Sequence, residues 1–140
     1  MSLELDFGDL LRGIDTTVAK TQVAIRNGVQ DSVDDLKRIA VDIAPIEDGD
    51  LRRSANAKVT GLGDNTTGEV TFSVTTDSPK YGRFNYAYWT HEIMASGQAK
   101  ASGGTDGYSI GNKYLERPLK GEAEKYKRWI AEEIKDAVGD

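Results

Sequence analysis

The chain has 140 residues, of which 38% are hydrophobic and 29% charged, with a formal net charge of -5, one histidine and no cysteine. That length fits one compact domain with a real core, and the composition excludes a chain disordered along its whole length. Absence of cysteine excludes a disulfide scaffold, and an acidic balance excludes the lysine and arginine excess by which nucleic-acid binders neutralise phosphate.

The charge is evenly spread. The first 44 residues carry 5 basic against 8 acidic groups and the last 28 carry 7 of each, so no basic face is expected. We expect no sequence-specific nucleic acid as partner and no membrane, because the uncharged stretches fall far short of the roughly 20 apolar residues a span requires. The opening "MSLELDFGDLL" lacks the basic region and apolar block of a secretory signal, which leads us to expect a protein made in the cytoplasm.

In chain order, Leu11, Ile14, Val18, Ile25, Val29, Val33, Leu36, Ile39 and Ile43 recur at helical steps, predicting an amphipathic helix over about 8–43. Its weak point is Asn27-Gly28, since glycine costs about 1 kcal/mol relative to alanine in a helix interior. Continuation under tertiary packing is the expected outcome, and a kink between two helices the alternative. Ala44-Pro45 ends the helix, because proline disfavours helical geometry in its predecessor. A turn and short helix follow over 45–55, with Asp50 placed to cap it. Glu47, Asp48 and Asp50 lack the register of a calcium loop and read as a solvated turn.

Strands are predicted at about 56–61, 68–76 and 82–90. In "EVTFSVTT" Val70, Phe72 and Val74 alternate with Thr71, Ser73 and Thr75 at the two-residue period of a half-buried strand. In "YGRFNYAYWTHE" Phe84, Tyr86 and Tyr88 fall on one side of an extended segment, and Ala87 and Trp89 on the other. This reads as a central strand with one face on the helices and the other partly covered, or as a strand with one aromatic face awaiting a partner. The stretch 95–112, opening on Ala95 and closing on Asn112, holds 5 Gly, 3 Ser and 3 Ala and is expected to be a flexible loop that orders on contact with something or stays mobile. A last amphipathic helix is predicted over about 113–138, with Leu115, Leu119, Tyr126, Ile130 and Ile134 on one stripe and Pro118 near its start. The fold class is therefore α+β: a single domain over 1–140, with N- and C-terminal helices packed on a small, mainly antiparallel sheet.

Catalytic chemistry finds little footing. "HEIMA" begins like the H-E-x-x-H pattern of zinc peptidases, but Ala95 stands where the second histidine belongs and the chain has no other histidine. No serine sits in a G-x-S-x-G elbow. We expect no enzyme, no metal and no cofactor. His91 and Glu92 instead read as hydrogen-bonding groups, within the fold or across a subunit boundary.

Three landmarks together carry a resemblance: "IAPIEDGDLRRS" after the first helix, "NYAYWTHE" in the aromatic segment, and "YLERPLKGEA" opening the last helix. They resemble the minor capsid and tail-completion (head-tail joining, neck) proteins of tailed bacteriophages, which run A-P, T-G-x-L-R-x-S, Y-A-x-x-x-E and a closing F-L-x-P-A helix. By position, Pro45, Gly49, Leu51, Arg52 and Ser54 match the turn, Tyr86, Ala87 and Glu92 the aromatic segment, and Leu115, Pro118 and Leu119 the closing element. Asp48 departs from the usual threonine, and the nearest glycine after Glu92 is Gly97. The resemblance implies a non-catalytic virion protein at the head-tail junction, synthesised in the host bacterial cytoplasm. It further implies self-association into a ring, usually hexameric, between a head-side connector or adaptor and a tail tube or terminator. Tyr88, Trp89, His91, Glu92 and the stretch 95–112 are the candidate assembly interface. The alternative is a stand-alone protein- or peptide-binding module using the same aromatic face.

Overall fold

A computed structural model describes residues 2–5, 7–45, 49–78, 82–93 and 104–138. Within them the chain is α+β, with two long helices packed together and a small antiparallel sheet laid on the first. Strand β1 (Ser2–Leu5) pairs with β3 (Thr67–Thr71), which pairs on its other side with β2 (Asn56–Thr60), giving the order β1-β3-β2. A separate two-stranded ribbon joins β4 (Thr75–Ser78) to β5 (Gly82–Asn85).

Helix α1 (Ala19–Ile43) runs unbroken through Asn27-Gly28. Its buried stripe, Ile25, Val29, Val33, Leu36, Ile39 and Ile43, is the apolar series expected from the sequence. Gly28 is the contact point with α4 (Glu116–Val138): a Cβ built there would lie 2.8 Å from the Ile130 backbone Cα. Gly68 does the same for the sheet, because a Cβ on it would come within 2.6 Å of Val29 and Val33. Two glycines therefore let α1 approach a helix on one side and a strand on the other more closely than side chains permit.

Several expected boundaries are corrected. The first helix does not begin near residue 8. A 3-10 turn at Gly8–Leu11 is followed by an irregular segment in which Gly13 takes φ +82° and Asp15 Oδ1 accepts hydrogen bonds from both the backbone and hydroxyl of Thr17. That local side-chain turn competes with helical hydrogen bonding, so the helix starts only at Ala19. Strand β1 was not foreseen, being too short to show alternation. The expected strand 68–76 is broken in two after Thr71, with Phe72 buried in the core and Val74 packed partly against it. The expected strand 82–90 ends at Asn85, whose Oδ1 accepts the backbone N–H groups of Ala87 and Tyr88. This cap starts a helical turn, α3 (Tyr86–Tyr88), which continues as a π-helical turn at Trp89–Ile93.

The short helix α2 (Asp50–Arg53) is entered from Gly49 at φ +87°, so Gly49 and not Asp50 holds the cap position. Of the stretch read as one flexible loop, 95–103 lies outside the described residues, as do Glu47 and Asp48. Residues 104–112 are folded. Asp106 and Gly107, both at positive φ, form a tight turn between the paired Thr105 and Tyr108, Ile110 is buried, and Arg117 holds the carbonyls of Ser109 and Asn112 at 2.9 Å each. Asp-Gly is a strong signal for such a turn, one that a reading of 95–112 by composition passes over. Lys113 at φ +53° redirects the chain, so the last helix opens at Glu116 and not at 113.

Candidate functional site

Two sets of residues singled out by the sequence come together at opposite ends of the motif series. At the first, helix α1 ends with carbonyl groups that have no intrahelical partner. Arg52, carried on α2, reaches back to them: Nε and Nη2 donate to Ala44 O at 3.0 and 2.9 Å, and Nη2 also to Asp42 O at 3.0 Å. Leu51 is buried, Pro45 is buried, and Ser54 Oγ donates to Leu51 O at 2.7 Å while receiving the backbone N–H of Ser73. The series Pro45, Gly49, Leu51, Arg52, Ser54 is thus a helix-terminating knot: a stop, a left-handed glycine, an apolar anchor, a cationic cap and a hydroxyl tie to the sheet connection.

Replacing Arg52 with alanine is expected to destabilise the fold by about 1–3 kcal/mol, since it leaves the Ala44 carbonyl without its charged donor. Arg52→Lys should recover less than half, a single ammonium being unable to reproduce the guanidinium fork. Urea unfolding of the two variants checks this, and equal midpoints for all three proteins would remove the cap from the account.

The second set joins the aromatic turn to α4. Thr90 Oγ1 lies 3.0 and 3.1 Å from the carbonyl oxygens of Tyr86 and Ala87, and 3.2 Å from the hydroxyl of Tyr114. Tyr114 in turn donates to Ala87 O at 2.7 Å, and burial pushes its hydroxyl pKa up to about 12. His91 is 1% exposed and packs edge-on to the Tyr114 ring with centroids 5.0 Å apart. Its Nε2 accepts the backbone N–H of Glu116, the first residue of α4, at 3.2 Å. The other nitrogen, Nδ1, donates to Glu92 Oε1 at 3.0 Å. Glu92 also pairs with the Lys113 ammonium, whose backbone N–H returns to His91 O at 3.0 Å.

The physical causes of the shifts agree with this geometry. Desolvation lowers the His91 pKa below its usual value, opposed by the Glu92 carboxylate. The hydrogen bond from Lys113 holds the Glu92 carboxyl below the usual range. Sequence reasoning found His91 and Glu92 but missed Thr90, Lys113, Tyr114 and Glu116, whose partnership arises only because the chain returns some 20 residues later to the same place.

Tyr86 is half-buried against the core, Ala87 is fully buried, and Tyr88 is 52% exposed beside this cluster. The side chain of Trp89 lies outside the described residues. Leu115 and Pro118 are buried and Leu119 packs partly on the core, so the closing motif seats the start of α4. Among the described residues no three His, Cys, Asp or Glu side chains converge as metal ligands would, and no helix is long and apolar enough to cross a membrane. No protein-family model, no curated protein and no solved structure matches this chain.

Proposed function

We propose that this chain is a structural protein of a tailed-phage or prophage virion, a minor capsid or tail-completion protein that helps join head and tail as a ring and carries out no catalysis. The observation that carries the reading is the order and spacing of the motif residues from Ala44 to Leu119, which resemble that family. Ring closure needs complementary patches on every copy. Three features suit it: the exposed ring of Tyr88, the outer strands β1 and β2 of the three-stranded sheet, and an acidic net charge that repels rather than grips DNA passing through a channel.

The experiment is electron microscopy of lysates from a phage or induced prophage in which this gene is deleted, counting joined and unjoined particles. Finished heads beside separate tails are the expected result, with abnormal or missing tails placing the protein on the tail side. Normal infectious particles would sink the reading and put the stand-alone binding module first. On the same reading, Tyr88→Ala should weaken self-association of the purified protein at least about tenfold by sedimentation velocity, while its circular dichroism stays unchanged. His91, being enclosed by its own chain, has no surface to offer such a contact.

A further inference from the structure

We propose that His91 is an acid-sensitive latch: as a neutral imidazole it holds the aromatic turn on the first residue of α4, and protonation of Nε2 releases it. The inference stands apart from the virion reading and applies whatever the chain assembles with.

A backbone N–H can only donate, so the 3.2 Å contact from Glu116 requires a lone pair on His91 Nε2. A neutral ring then carries its proton on Nδ1, the nitrogen that faces Glu92 Oε1 at 3.0 Å. Both ring nitrogens are committed in a side chain that is 1% exposed. Adding a proton to Nε2 sets two donors against each other and places a positive charge at the positive end of the α4 dipole.

Among the described residues, the charged groups facing the ring are Glu92 from its own turn, Lys113 from the segment leading into α4, and Glu116 from the helix itself, whose carboxylate also favours the imidazolium. Glu92 favours the imidazolium, but it is shared with Lys113, and Lys113 opposes it. The Tyr114 ring stands across the imidazole at 80° with centroids 5.0 Å apart, and its hydroxyl is engaged with Ala87 O and Thr90 Oγ1. Burial therefore prevails, and the folded-state pKa lies below the ordinary 6.5.

The sign follows. A depressed folded-state pKa means that the open form binds more protons, so the latch is fully closed above about 6.5 and loosens as pH falls from there through the folded value. Each unit of depression corresponds to about a tenfold preference of the proton for the open form. Release would free both anchors of the chain between the turn and α4, because Lys113 is bound back to the carbonyl of His91.

The chain's one histidine makes the test unambiguous. Nitrogen-15 NMR of the imidazole and of the Glu116 amide, titrated from pH 8 to 4.5, should show the Nδ1–H tautomer at the alkaline end. The ring midpoint should lie below 6.5, the Glu116 shift should move with it, and protection of the Lys113 and Glu116 amides should fall at least about tenfold after correction for intrinsic exchange. His91→Gln offers a non-titrating acceptor in the place of Nε2, and its Glu116 amide should be flat over that window. An Nε2–H tautomer, an unshifted ring midpoint, or a Glu116 response that persists in His91→Gln would each overturn the proposal, the last assigning the response to Glu92. Should the variant fail to fold, the tautomer and the shared midpoint in the unmodified protein decide the matter.

Discussion

Substituting Gly28 with valine is expected to destabilise the protein by about 3 kcal/mol or more, and even Gly28→Ala to destabilise it by about 1–2 kcal/mol. At an ordinary exposed helix position alanine would instead stabilise by about 1 kcal/mol, because it restricts the unfolded chain and favours helix. Here the added Cβ would sit 2.8 Å from the Ile130 backbone and 3.0 Å from its Cγ1. A side chain could rotate away, but backbone cannot, so α4 must move outward and loosen the contacts of Tyr126, Ile130 and Ile134 with α1. Urea unfolding followed by circular dichroism measures the loss. Adding Ile130→Ala should fail to rescue Gly28→Ala, since the nearest obstacle is the Cα that alanine retains. A Gly28→Ala protein as stable as the parent would show that the helices do not meet there.

The second large effect is expected at Phe72. Its side chain is fully buried in the core and meets Tyr114 in a T-shaped contact with ring centroids 5.0 Å apart. Phe72→Ala should cost about 3–5 kcal/mol, combining lost apolar transfer with the cavity left behind. That is a large part of the roughly 5–15 kcal/mol available to a domain of ordinary stability, so this variant is expected to be partly unfolded at 37 °C. Phe72→Leu keeps most of the volume and should lose about 1.5 kcal/mol, part of it the aromatic contact with Tyr114. Thermal unfolding of the three proteins separates these. An alanine variant melting within a few degrees of the parent would mean that Phe72 does not anchor the core beside Tyr114.

Both positions show where reading the sequence works and where it stops. The stripes of α1 and α4 were legible because helix-period burial repeats over 25 and 23 residues, long enough for the pattern to average out local exceptions. Ala44-Pro45 marked the end of α1 for a covalent reason, the ring's exclusion of helical geometry before it. The aromatic segment failed because alternation over nine residues is a weak signal. A single side chain, Asn85, capped a helical turn and took Tyr86, Ala87 and Tyr88 out of the strand. Residues 104–112 failed for a different reason: composition announced mobility, while Arg117 and the Ile43 carbonyl supply partners that no local window contains.

The sequence by itself determined the α+β class, the two amphipathic helices and the helix stop at Pro45, because each depends on residues near one another in the chain. Only the tertiary structure decided that Gly28 is a contact and not a weakness, that one expected strand is two, and that His91 caps a helix beginning 25 residues later. Those outcomes depend on which distant groups meet in the packed core. Packing can reverse a local preference of about 1 kcal/mol, since placing or removing one buried group is worth as much or more.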